Sequence, residues 1–284
     1  MPEAAATIHR LAAFTTDPDG GNPAGVVITD APLDALQMQE MAADVGYSET
    51  AFLVPSGDDR YTVRYFAPMA EVPFCGHATI AAGVLLAGRE GPGTVRFDTP
   101  AGAVTVELSV DDRSRALATL TSVEPSVEPA APDVLDAALS ALRLRREELD
   151  PVFEPAVAFA GALHLLLVLR TRERLARLDY DFEALRAHML AHGLTTVALL
   201  WPERIDRWHA RNAFPVGGVV EDPATGAAAA ATGAYLRASG HLAAPARFEV
   251  LQGEDLGRPS HLYVEVAALG GIRVSGHAVS MPTP

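Results

Sequence analysis

The sequence predicts an α+β fold built from two like halves. Two observations carry this. Short apolar runs of strand character alternate with helical patterns in two successive sets. A sparse frame also recurs. Arg64, Pro68 and Cys75 in the first set share their spacings, four and then seven residues, with Arg211, Pro215 and Asp222 in the second. Each frame leads into a helix of small residues, as a duplicated unit would. A chain of 284 residues, 49% hydrophobic, has apolar surface enough for two cores.

In the first set the strands are expected at TIHRLAAF, AGVVIT, TAFLV, YTVRYF, TVRFDT and AVTVELSV. The glycine-rich DPDGGNPAG lacks the lysine of a nucleotide-phosphate loop and reads as a tight turn feeding the second strand. LDALQMQEMAADV is an amphipathic helix, with apolar Leu33, Leu36, Met41 and Val45. ATIAAGVLLAG is apolar nearly all round, so it belongs inside its domain. SVEPSVEPAAPD, Ser122 to Asp133, reads as a linker. Beyond it lie the strands HLLLVLR, TTVALLW, FEVLQ and HLYVEVAAL, and helices near 133–143 and 181–192. A second wholly apolar helix, ATGAAAAATGAYLRA, completes the set. The expected domains are 1–120 and 121–270, with the tail at about 271–284 returning to the first.

Composition narrows the function classes. Asp and Glu outnumber Lys and Arg by 36 to 22, a net charge of −14, which speaks against a nucleic-acid partner. No apolar run reaches the ~18 residues of a membrane span, and the N-terminal stretch lacks the pattern of a secretory signal. A cytoplasmic protein is expected. Cys75 is the single cysteine, which excludes an intrachain disulfide, a cysteine-based metal cluster and a two-thiol racemase. The nine histidines show no metal-type clustering, and His188 and His192 read as a solvated helix face.

The candidate chemistry lies at the two small-residue helices. Helix N-termini carry unpaired N–H groups and partial positive charge, suited to a carboxylate or a forming enolate. Gly76 and Gly226 let a substrate approach the backbone. His77 is either a hydrogen-bond donor and acid/base or the cap of a buried turn. Cys75 is a thiolate base or, more simply, core packing. Asp222 is a functional carboxylate or an N-cap. Glu49, between a helix end and an apolar strand, is a surface residue or a carboxyl placed to take and return a proton.

Five stretches sharpen this reading: GNPAGVV at 21–27, GYSETAFL at 46–53, RYFAPMAEVPFCGHATIAA at 64–82, GVVEDPATGAA at 218–228 and QGEDLGRPS at 252–260. In this order they resemble the phenazine biosynthesis PhzF-like family, of the diaminopimelate epimerase fold. The resemblance implies two similar domains, each a curled, mostly antiparallel sheet or barrel around a central helix, with the active site in the cleft between them. It implies a cofactor-independent isomerase, in which Glu49 moves a proton between carbons of a small, carboxylated, amino-acid-like substrate of a biosynthetic pathway. His77 and Asp222 join Glu49 as catalytic candidates. Asn22, Ser48, Gly76, Thr79, Thr225, Gly226 and Ala227 are the substrate-binding candidates. A homodimer is the expected assembly. Two departures fall at the second helix mouth: Ala227 stands where the family commonly has serine, and Phe214 is displaced by one within the Arg211–Pro215 stretch. A racemase acting alpha to a carboxylate and a non-catalytic metabolite-binding protein are the competing readings.

Overall fold

The computed structural model describes residues 7–282; residues 1–6 and 283–284, at the ends of the expected first domain and its returning tail, lie outside the described residues. The chain divides into two compact units, one of residues 1–120 with 275–284 and one of 121–274. The fold is α+β.

The first unit runs β1 (Ile8–Ala13), β2 (Asn22–Ile28), α1 (Ala35–Val45), β3 (Glu49–Gly57), β4 (Arg60–Ala67), β5 (Ala70–Val72), α2 (Gly76–Glu90), β6 (Gly93–Thr99), β7 (Gly102–Val110) and β8 (Ala116–Thr121). The pairs β1–β2, β3–β4, β4–β5, β6–β7 and β7–β8 are antiparallel, while β2–β3 and β4–β6 are parallel. Helix α2 packs on β1, β2, β3 and β7 and is buried almost all round from His77 to Ala87. That burial accounts for its lack of a polar face. Gly83 lets the helix seat closely: a Cβ there would lie 2.8 Å from Ala118 Cβ and 2.9 Å from Val106 Cγ1. Helix α1 instead covers the outer face of the sheet. Its buried stripe is Met38, Ala42 and Val45, while Leu36 is 67% exposed, so the expected apolar face is turned by part of a turn. A capping box of Asp34 and Gln37 starts it and Gly46, in the left-handed region, ends it.

The second unit runs β9 (Ser126–Pro129), α3 (Pro132–Ala141), β10 (Ala156–Phe159), β11 (Leu163–Val168), α4 (Arg172–Ala176), α5 (Phe182–His192), β12 (Thr196–Arg204), β13 (Arg207–Ala213), β14 (Glu221–Asp222), α6 (Gly226–Ala238), β15 (Ala246–Gln252), β16 (Ser260–Val266) and β17 (Ile272–Gly276). The stretch expected to be a linker therefore holds a strand: β9 pairs with β10, with Pro129 at its last position where the missing N–H costs least. A final strand, β18 (Ala278–Ser280), pairs with β1 in the first unit. Leucines of α3, α5, β11 and β12 form a core on one side of the sheet. Helix α6 packs on β9, β10, β11 and β16, with Gly233 against Val264, Val266 and Ile272.

The pairing order repeats between the units. In the second, β10–β11, β12–β13, β13–β14 and β15–β16 are antiparallel, and β11–β12 and β13–β15 are parallel. Glycine is the eighth residue of both central helices, Gly83 and Gly233. Bidentate Arg64–Glu71 and Arg211–Glu221 pairs brace β4–β5 and β13–β14 in turn. These registers correct the recurring frame. It holds from arginine to proline, and then a 3-10 turn, Pro215–Gly217, adds three residues in the second unit. Phe66 faces Glu71, and Ala213 faces Glu221. The equivalent of Cys75 is thus Thr225, not Asp222, and that of His77 is Ala227. Thr50 faces Phe66 and Val197 faces Ala213, so Glu49 is matched by Thr196.

Candidate active site

Three elements of the first unit bring the first group together. Ser48 ends the turn after α1, Glu49 opens β3, and His77 is the second residue of α2. The His77 ring is 8% exposed; its Nε2 lies 3.4 Å from Glu49 Oε2 and 3.2 Å from Ser48 Oγ. Its Nδ1 lies 3.4 Å from Cys75 Sγ. Nε2 thus faces both the carboxyl and the Ser48 hydroxyl, and Nδ1 faces the Cys75 thiol, with the tautomer deciding which of them donates. The Glu49 side chain, 20% exposed, keeps an edge toward solvent. This is an arrangement able to take up a proton and hold it, with the imidazole against the carboxyl and the Ser48 hydroxyl bonded to the imidazole.

Cys75 is the N-cap residue of α2, yet no side chain caps that helix. Thr225 begins α6 in the same way, again without a side-chain cap. Asp34, Thr171 and Asp181, in contrast, cap α1, α4 and α5. The helical bonds of α2 begin with Thr79 N–H donating to Cys75 O, so the N–H groups of Gly76, His77 and Ala78 precede the ladder. They form the positive end where an anion is stabilised. Thr79 itself is fully buried; its hydroxyl bonds the Tyr65 hydroxyl at 2.6 Å and Cys75 O at 2.7 Å, so it braces the helix mouth. Asn22, also buried, opens β2 opposite Ala13.

The second group belongs to the second unit. Thr225 Oγ1 donates to Asp222 Oδ2 at 2.6 Å. Gln252, read in the sequence only as part of a motif, ties this mouth together. Its Oε1 accepts from Thr225 N, and its Nε2 donates to Asp222 O and to Thr225 Oγ1. Gly226 and Ala227 start α6 and are partly exposed. The signal for Gln252 lies in its place at the end of β15, where a side chain on the α6 side meets the helix start. Glu221, beside Asp222, is taken up by the buried pair with Arg211, whose Nη1 also donates to Ala176 O.

Glu49, Cys75 and His77 offer one oxygen, one sulfur and one nitrogen within 4.8 Å of one another, a donor set able to hold a metal ion. No helix among the described residues is long and apolar enough to cross a membrane.

The model of the family described as phenazine biosynthesis-like protein matches residues 11–283. The chain belongs to this family. An uncharacterized isomerase of Escherichia coli strain K12, YddE, is 34% identical to this family member over 290 residues, covering 96% of this chain and 95% of the relative. The trans-2,3-dihydro-3-hydroxyanthranilate isomerase of Pseudomonas chlororaphis is 29% identical over 273 residues, covering 94% of each. A solved Bacillus anthracis protein of the phenazine biosynthesis PhzF family shares the fold, with a TM-score of 0.86 at 23% identity over 98% of this chain and 97% of that one. This PhzF-family chain is an isomerase by class.

Proposed function

We propose that this isomerase moves one proton, and with it a double bond, within a small carboxylated, amino-acid-like metabolite, and that Glu49 carries the proton. The observation that supports this most is an inequality between matched positions. In the first unit they hold Glu49, Cys75 and His77; in the second they hold Thr196, Thr225 and Ala227. A reaction with two equal bases would use a base at both. One carboxylate that gives back what it takes fits a proton shift between carbons.

In this mechanism the Glu49 carboxylate takes a proton from one carbon. The electron pair left behind spreads into the conjugated system, and the N–H groups of Gly76 and His77 stabilise the charge. Glu49, now a carboxylic acid, returns the proton to the far carbon, and the double bond shifts. His77 positions Glu49 and Ser48 holds the His77 ring; Asp222, held by Thr225, binds a polar group of the substrate. The substrate named for the Pseudomonas chlororaphis relative, a hydroxylated dihydroanthranilate, is of the proposed chemical class. The reading includes a homodimeric cytoplasmic enzyme without a nucleic-acid or membrane partner, which the net charge of −14 favours. The chemistry calls for neither metal nor organic cofactor.

The test begins with the metabolite that accumulates in a strain lacking the protein, incubated with pure enzyme. Glu49→Gln keeps the size but cannot accept the proton, so turnover falls on the order of 10²–10⁴-fold or more with binding retained. Glu49→Asp, shorter by one methylene, retains a little activity. Near wild-type turnover by Glu49→Gln would transfer the role to Asp222 or His77. Deuterium uptake at an α-carbon with optical inversion would favour the racemase, with Asp222 as second base. An intact Glu49–His77 pair argues against a mere binder, which has no need of an acid/base.

A further inference from the structure

We propose that Glu49, Cys75 and His77 also form a reversible site for a thiophilic divalent cation, Zn²⁺ above all, and that its occupation silences the enzyme. The inhibitory half rests on Glu49 as the proton carrier; the site itself does not. Among the described residues this is the one cluster of three such donors. Its donors lie near the spacings of a tetrahedral ion and within 4.8 Å of one another. With Zn–S of about 2.3 Å and Zn–N and Zn–O of about 2.0 Å, neighbouring donors sit roughly 3.3–3.6 Å apart. Glu49 Oε2 lies 3.4 Å from His77 Nε2, and Cys75 Sγ lies 3.8 Å from that nitrogen and 3.4 Å from Nδ1, so a side-chain shift of a few tenths of an ångström brings sulfur, Nε2 and oxygen around one ion.

The donors are held before any ion arrives. Cys75 and His77 are buried at the start of α2, and Glu49 is fixed at the start of β3. The exposed edge of Glu49 leaves room for water as a fourth ligand. Thiolate and carboxylate together balance the charge of the ion and offset the opposing partial charge at the start of α2. A mixed S, N, O set selects Zn²⁺ over Mg²⁺ or Ca²⁺. Binding forms a Cys75 Sγ–Zn bond and sends the thiol proton to solvent, with no change of oxidation state. It also takes the Glu49 carboxylate out of proton transfer.

The test uses the full chain, with Zn²⁺ in equilibrium dialysis and Co²⁺ as a spectroscopic probe. One equivalent should bind, and cobalt should show an intense sulfur-to-metal band in the near ultraviolet. Cys75→Ser, checked for folding by its thermal melt, should lose the band and weaken Zn²⁺ uptake at least tenfold, the low end for even an outer-shell partner. The competing pair, half-buried His188 and exposed His192 with ring centroids 4.7 Å apart, supplies the control; the sequence reads both as a solvated face, but His188 Nε2 is buried. Their double alanine variant should bind as the wild type does. Cobalt bound without the band, uptake unchanged in Cys75→Ser, or uptake lost in the histidine double variant would each overturn the site. Full turnover at saturating Zn²⁺ with the band present would overturn the inhibition, while the role of Glu49 as carrier is decided separately by the turnover of Glu49→Gln.

Discussion

Gly83→Ala tests whether the seating of α2 holds His77 in place beside Glu49. In a helix interior the change gains about 1 kcal/mol of propensity. At this position the new methyl would lie 2.8 Å from Ala118 Cβ and 2.9 Å from Val106 Cγ1. Both neighbours are fully buried, and Ala118 has no rotamer with which to move away. Overpacking of this kind costs about 1–3 kcal/mol, and two contacts this short place it at the upper end. The net expectation is a loss of ~1–2 kcal/mol. Gly88, on the same helix, has nothing within 4 Å of the point where a Cβ would lie, so Gly88→Ala should gain up to ~1 kcal/mol. The two variants should therefore melt about 5–10 °C apart. Gly83→Ala should also lose turnover, because a displaced α2 carries His77 away from Glu49. Thermal melts and kcat measured side by side check this. A Gly83→Ala protein that melts at or above Gly88→Ala would refute the close seating.

Three further outcomes follow from named residues. His164 is fully buried and burial holds its imidazole down to about 3, below the ordinary 6.5, so it contributes stability above pH 6.5 that is lost toward pH 3. Urea midpoints should show a fall of about 1.4 kcal/mol per pH unit over this window, absent from His164→Gln; equal slopes would remove His164 as the cause. Cys75→Ser should keep appreciable turnover, since no step of the proposed mechanism uses the thiol, and an inactive but folded variant would support thiol catalysis instead. Glu221→Gln, which strands the buried Arg211, should cost about 3–5 kcal/mol, while Glu71→Gln, in the matched but exposed pair, should cost about 1 kcal/mol or less; comparable losses in urea melts would contradict the difference in burial.

Local pattern makes part of this fold legible. Helices α2 and α6 stand out because burial on every side leaves no polar stripe, and β3, β11 and β12 because their runs are apolar enough to be inside. Strand β13 is hidden because RWHARNA is charged. Arg211 is neutralised by Glu221, ten residues away, and no local pattern reveals such a partner. The pairing of β9 is masked by prolines at its edge, and the turn at Pro215–Gly217 shifts the second helix mouth by three residues. Of the candidate site, Glu49 and His77 are legible through their motifs. Gln252 is not, because its role depends on β15 ending beside the start of α6.

The shifted frame changes the chemical argument. Under unshifted spacing, Cys75 and Asp222 are counterparts, and two acid/base groups at matching helix mouths invite a two-base racemase. The registers pair Asp222 with Val72 instead, on the short strand before each helix. The position matching Glu49 holds Thr196, whose hydroxyl donates to Asn212 Oδ1 and lies 2.8 Å from His164 Nδ1. All three residues are buried, so in the second unit this position joins a polar network inside the sheet. A hydroxyl within such a network cannot serve as a base, and Ala227, matching His77, has no titratable group. Duplication thus supplies two frames of the same build, and only one carries a proton acceptor where the other carries structure. For a reaction that moves a proton from one carbon to another on the same substrate, one acceptor suffices, provided it is held firmly enough to face both carbons. In the proposed reaction, the contact of Glu49 with His77 and the seat of α2 beneath them supply that hold.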